Sequence, residues 1–171
     1  HIDFKKLNIE GTFDEKKIQN NKNRKIFKDE LRKLRYELIN SDKKIILVSS
    51  IKEKHGKSMM IEALAIALSK SSKKVLILDT NFSNPDLTKI LKAGGVLESL
   101  LSGNEHFKSE RVENTYIDNV DVLGARGGNY SPFEIINTKS TNELFSQLKE
   151  KYDFILLEGA ALNDYSDTKE L

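Results

Sequence analysis

Four short runs dense in β-branched and aliphatic residues, with helix-type sequence between them, leave this chain few ways to fold. They are "KIILVSS" (Lys44 to Ser50), "KKVLILDT" (Lys73 to Thr80), "NVDVLGA" (Asn119 to Ala125) and "DFILLEGA" (Asp153 to Ala160). The first two are continuous apolar runs too short for a helix, and all four read as buried strands, the first covered on both faces. Between them, Lys57 to Ser69 is apolar nearly all round and belongs inside, and "NPDLTKILK", "GGVLESLLSG", "SPFEIIN" and "STNELFSQLKEKY" are further helical stretches. Alternating strands and helices predict an α/β domain of three layers, with a mainly parallel sheet flanked by helices through right-handed crossovers. The sequence stops soon after the fourth run, which reads as a domain incomplete at its C-terminus.

Ahead of the first strand the character changes. Residues 1–24 are rich in Lys, Asn and acidic residues with few large apolar ones, the composition of a basic polar linker or arm, and the α/β domain is assigned to residues 25–171. From Lys25 to Ile39, Ile26, Phe27, Leu31, Leu34 and Leu38 recur at helical spacing, with Asp29, Arg32 and Arg35 on the other face. Residues 1–44 carry 13 Lys/Arg against 8 Asp/Glu, and the remainder 15 against 18. A basic arm thus precedes a slightly acidic body. Two readings of it stand: contact with nucleic acid or the anionic inner leaflet of a membrane, or a solvated tail.

Several classes of function are excluded or left without support. No run of 18 apolar residues exists to cross a membrane as a helix, and the polar first 20 residues are no secretory signal. Cysteine is absent, which removes disulfides and thiolate chemistry, and His1, His55 and His106 have no metal-ligand spacing.

Ligands of an open parallel sheet bind outside the carboxyl ends of its strands. After the first strand comes "SIKEKHGKS", ending in Gly56, Lys57 and Ser58, the tail of a phosphate-binding loop. In such loops backbone N–H groups surround phosphate, the Lys reaches the β/γ phosphates, and the Ser hydroxyl meets Mg²⁺. The first glycine of the G-x-x-x-x-G-K-S pattern is Ile51 here, and Glu53 brings a carboxylate toward the phosphates. An ordinary strand-to-helix turn is the competing reading, though the flanking buried strand and helix are the context that a phosphate loop requires. Asp79, ending the second strand, is a hard oxygen ligand for Mg²⁺ and a weak catalytic candidate, or else a cap for the next turn or helix. Glu158, ending the fourth, stands where an acidic residue orients Mg²⁺ or its water.

Taken in order, the helix with Asp29, Arg32 and Arg35, then "SSIKEKHGKS", "VLILDTNFSNP", "VLGARGGNYSPFEII" and "KYDFILLEGAAL" resemble the cytoplasmic domain of bacterial tyrosine kinases (BY-kinases) over about residues 25–170. That family comprises polysaccharide co-polymerases, regulators of capsule and exopolysaccharide chain length and export. The resemblance implies a P-loop domain on the cytoplasmic face of the inner membrane, attached to a membrane-anchored periplasmic portion or partner and working with the export machinery rather than with nucleic acid. It also implies ATP or ADP with Mg²⁺ as cofactor, and homo-oligomers meeting through an E-x-x-R-x-x-R helix. Asp29 replaces the Glu of that motif, whereas Arg32 and Arg35 match it. Lys52 stands five residues before Lys57, where related partition-type ATPases carry a lysine that reaches a neighbour's phosphate; a solvated loop lysine is the alternative.

Departures from the family concentrate at the acidic positions. Its D-x-D-x-R motif reads Asp79, Asn81 and Ser83 here, and its D-x-x-P reads Glu158 to Ala161. Tyr36, Tyr116, Tyr130, Tyr152 and Tyr165 are dispersed rather than clustered. Asn cannot accept a proton at neutral pH, and phosphoryl transfer depends on positioning and charge neutralisation. The expectation is therefore a degenerate member acting in oligomeric assembly, with nucleotide binding weakened or lost. An active tyrosine autokinase or partition-type ATPase is the alternative.

Overall fold

The structure, a computed structural model, describes residues 22–52, 56–128 and 132–161. Most of the predicted basic arm, and with it His1, lies outside the described residues, as do Glu53, His55, Tyr130 and Tyr165. The chain divides into two compact units, residues 1–42 and 43–171.

In the first unit, helix α1 (Lys22–Ile39) begins three residues earlier than the apolar spacing predicted. Two i,i+3 ion pairs run along it, Arg32 to Asp29 at 3.0 Å and Lys33 to Glu30 at 2.7 Å, both solvent-exposed. Such pairs support a helix weakly, because water screens them and ordering two long side chains costs entropy.

The second unit is an α/β sheet domain. Its elements are β1 (Ile45–Ser50), α2 (Lys57–Ser69), β2 (Val75–Leu78), α3 (Asp86–Leu91), α4 (Leu97–Ser102), β3 (Glu113–Asn114), β4 (Val120–Leu123), α5 (Pro132–Ile135), α6 (Thr138–Lys151) and β5 (Phe154–Ala161). The sheet order is β1-β5-β2-β4-β3, and all pairings are parallel except the short β3 against β4. All four runs read as strands in the sequence are strands. The fifth, β3, is a polar two-residue edge that carries no apolar signal.

Alternation of side chains across the sheet builds two cores. Leu76, Leu78, Leu123, Ile155 and Leu157 face α4 and α6, where Leu97, Leu100, Leu101, Leu144 and Leu148 close over them. On the other side α2 lies across β1, β2, β4 and β5 and buries Ile61, Leu64, Ala65 and Leu68. Every residue of β2 is buried, as its central place in the order requires.

One expectation is corrected. The first strand was read as covered on both faces, yet β1 is an edge strand with Ile45 and Leu47 more than a third exposed. Its apolar run resembles that of the central β2. What differs is position in the sheet: β1 has a neighbour, β5, on one side alone among the described residues.

Candidate phosphate and cation site

Gly56 opens α2 with φ 82°, a left-handed conformation that a side chain resists, and so glycine suits the turn where the chain leaves the loop. Among the described residues no side chain caps this helix, and its first turn carries no acid. The start of α6 is different, because Asn137 Oδ1 accepts a hydrogen bond from the Ser140 N–H at 3.1 Å. A helix start without such a cap keeps backbone N–H groups and the positive end of its dipole available to an anion.

Lys57 is buried in the first turn, and its Nζ donates to Ser50 Oγ at 3.4 Å. Ser58 donates from Oγ to Glu158 Oε1 at 2.8 Å, a contact between residues 100 apart in sequence. The strands explain how they meet. Val48 lies opposite Glu158, and the register then slips so that Ser50 faces Ala161. This irregularity, with an extra residue on β5, falls where β1 runs into the loop and re-aims the strand end beneath the start of α2.

Glu158 is 1% exposed, and its second oxygen, Oε2, is buried without a hydrogen-bond partner. Burial and then the neighbouring Asp79 charge push its carboxyl up to about 7, against the opposing effects of the Ser58 hydroxyl and the Lys57 cation. An unsatisfied buried carboxylate oxygen is costly, and binding a cation is one way to satisfy it.

Asp79 is wholly buried, level with Glu158 because Leu78 pairs with Leu157 on the next strand. Its oxygens are engaged. Oδ1 accepts from the Asn81 N–H at 3.3 Å, and Oδ2 accepts from both the N–H and the hydroxyl of Thr88, each at 2.8 Å. Burial lifts its carboxyl to about 6, and these donors oppose the rise. Asn81 is also buried, whereas Lys52 is exposed in the described part of the loop, its carbonyl accepting from Ser50 Oγ at 2.6 Å.

The structure thus brings Lys57, Ser58, Asp79 and Glu158 to one end of the sheet and leaves Lys52 at the surface. Asp29, Arg32 and Arg35 lie on α1, in the other unit. Two residues absent from the sequence reading matter here. Thr88 holds Asp79, and Glu98 accepts the N–H groups of Arg126 and Gly127, each at 3.0 Å, after β4. Neither carries a motif, so chain pattern alone gives no signal for them.

Among the described residues no group of three or more His, Cys, Asp or Glu could hold a metal. Mg²⁺ bound with nucleotide takes one or two carboxylates and draws its other ligands from phosphate and water. Ser58 Oγ and Glu158 Oε2 fit such an ion, and Lys57 with the open start of α2 fits the phosphates.

A parallel sheet with a G-K-S turn between β1 and an inward helix, and a buried acid on the neighbouring strand, defines a P-loop NTPase-type domain. Among solved structures of that fold, the septum site-determining protein MinD of Pyrococcus horikoshii, complexed with Mg-ADP, matches at TM-score 0.56 and 26% identity over 74% of this chain and 54% of that one. The chimerical protein CapA2B2 matches at TM-score 0.72 and 24% identity over 82% of this chain and 64% of that one. The relatives of this chain include bacterial tyrosine-protein kinases. CapB of Staphylococcus aureus, named provisionally as a tyrosine-protein kinase, is 27% identical over 74% of this chain and 56% of its own length. The tyrosine-protein kinase CpsD of Streptococcus agalactiae is 24% identical over 68% of this chain and 52% of its own. The succinoglycan biosynthesis transport protein ExoP of Rhizobium meliloti is 23% identical over 77% of this chain and 17% of its own. The chain spans about half the length of the first two. No protein-family model matches it. Among the described residues no helix is long and apolar enough to cross a membrane.

Proposed function

We propose that this chain is the cytoplasmic P-loop domain of a capsule or exopolysaccharide export regulator, a degenerate relative of the BY-kinases that acts through oligomeric assembly. Its place would be the inner face of the membrane, beside a membrane-anchored periplasmic portion or partner, with α1 contributing Asp29, Arg32 and Arg35 to contacts between copies. The name of one relative, the succinoglycan biosynthesis transport protein ExoP, supports the polysaccharide setting.

The observation that carries the degenerate reading is the state of the two carboxylates. Transfer to a tyrosine hydroxyl needs a group to take its proton. Asn81 cannot do so, both oxygens of Asp79 already accept hydrogen bonds, and the open oxygen of Glu158 is the one assigned to Mg²⁺. A bound nucleotide would set its phosphates against Lys57 and the start of α2, with Ser58 and Glu158 toward Mg²⁺, which would supply charge neutralisation there. Loss of the loop glycines weakens that binding, since a backbone bearing side chains approaches phosphate less closely.

Two measurements test this. The full-length chain incubated with ATP and Mg²⁺ is expected to accumulate no phosphotyrosine by mass spectrometry, and calorimetry with ADP and Mg²⁺ is expected to give weak binding or none. Phosphotyrosine that disappears in Lys57→Ala would overturn the proposal. It would favour the active-kinase reading, which the buried Lys57 and the open Glu158 oxygen support.

A further inference from the structure

The carboxyl edge of the sheet has a second polar centre, one in which Asp79 faces away from the role expected of a cation ligand. We infer that Asp79 is a positioning residue that, through Thr88, ties the loop after β4 and the start of α3 to the end of β2. The inference rests on the reading of the neighbouring residues as a phosphate and cation site, and assigns the ion to Ser58 and Glu158 without Asp79.

The hydrogen bonds form a continuous relay. Asp79 Oδ2 accepts from the Thr88 hydroxyl, and the same Thr88 Oγ1 accepts from the Ala125 N–H at 2.9 Å. Asp79 also receives the Thr88 N–H in the first turn of α3, a helix whose own N-cap position is Pro85 and which has no side-chain cap. A strand-end carboxylate thereby does the work of a capping residue nine positions ahead of its donor.

The seat for Thr88 is fitted. A Cβ at Gly124 would lie 2.8 Å from the Thr88 methyl and 2.6 Å from the Gly94 carbonyl oxygen, so glycine at 124 leaves the room Thr88 occupies. From Ala125 the loop continues against the same segment: the Gly128 N–H donates to the Phe82 carbonyl at 3.1 Å, and a Cβ at Gly127 would meet Pro85 at 3.0 Å. Glu98 fastens Arg126 and Gly127 from α4. The loop "ARGG" is therefore held by Thr88 at its first residue, and Asp79 fixes Thr88. Because Asp79 is level with Glu158, this relay sets how the β2 and β4 loops stand beside the cation position.

Thr88→Val, Thr88→Ser and Asp79→Ala in the otherwise intact chain test the inference by amide hydrogen exchange and by ADP binding with Mg²⁺ or with EDTA. Thr88→Val is expected to raise exchange at Ala125 by about tenfold, as loss of one hydrogen bond does, and Thr88→Ser to restore it. ADP affinity is expected to fall in Thr88→Val and Asp79→Ala alike, with the ratio between Mg²⁺ and EDTA unchanged. If Asp79→Ala abolishes that ratio while Thr88→Val leaves both exchange and affinity as they were, Asp79 is a cation ligand and the inference fails. Should the parent chain bind no ADP, an outcome the proposed function allows, exchange at Ala125 decides by itself, and unaltered exchange there in Thr88→Val would sink the relay.

Discussion

Asp79, just after β2, and Glu158, within the adjacent β5, stand at the same level, are both buried, and are both raised well above the ordinary carboxylate range, yet they are not in the same condition. Three donors reach Asp79, so that both of its oxygens are engaged inside the fold. One donor, Ser58, reaches Glu158, and Oε2 has no hydrogen-bond partner among the described residues. The comparison teaches that burial alone does not mark a ligand site. An acid whose acceptors are all engaged organises its neighbours, whereas an acid with an open oxygen beside an uncapped helix start is poised for an ion. The two helix starts repeat the contrast, Asn137 closing α6 and nothing closing α2.

The largest expected effect is on the pH dependence of stability. The Glu158 carboxyl rises from 4.5 to about 7 on folding, so its contribution is fully present below pH 4.5 and is lost as pH rises through 7. The native state holds the extra proton in that window, and the loss amounts to about 3 kcal/mol at roughly 1.4 kcal/mol per unit. Urea denaturation of Glu158→Gln across this window is expected to be flatter than that of the parent by that amount. An unchanged slope would mean that the Glu158 carboxylate is solvated, and the contrast with Asp79 would collapse.

Next comes the satisfied acid. Thr88→Val removes a buried hydroxyl with two partners and is expected to cost about 1–3 kcal/mol in urea midpoint measurements at pH 8, because Asp79 and the Ala125 N–H each lose a hydrogen bond. A cost near zero would show that the relay carries no strain or specificity. Asn137→Ala sharpens the helix comparison, with an expected loss of about 1 kcal/mol for the α6 cap. The smallest effect belongs to α1. Arg32→Ala with Arg35→Ala is expected to change stability by less than about 0.5 kcal/mol, since the Arg32–Asp29 pair is exposed, while lowering the associated mass seen by light scattering. Unchanged association, at a concentration where the parent associates, would remove α1 from the proposed contacts.

The sequence by itself determined the element types. Apolar runs and helical spacing are local properties, and they recover β1, β2, β4 and β5 to within two residues at most ends, and α2 over the same bounds. The turn at Gly56, Lys57 and Ser58 was legible too, because a turn from strand to helix is written in consecutive residues. Tertiary structure alone decided the rest. Strand order put the apolar β1 at an edge, and no periodicity distinguishes an edge strand from a central one when both are made of the same residues. β3 exists because Glu113 and Asn114 meet β4, not because they favour a strand. Most of all, the difference between Asp79 and Glu158 lies in partners that are remote in the chain: Thr88 nine residues away for one, Ser58 a hundred for the other. Residue identity fixes how many hydrogen bonds an acid can accept. Which donors arrive, and whether an oxygen is left open, is set by strand register and helix placement.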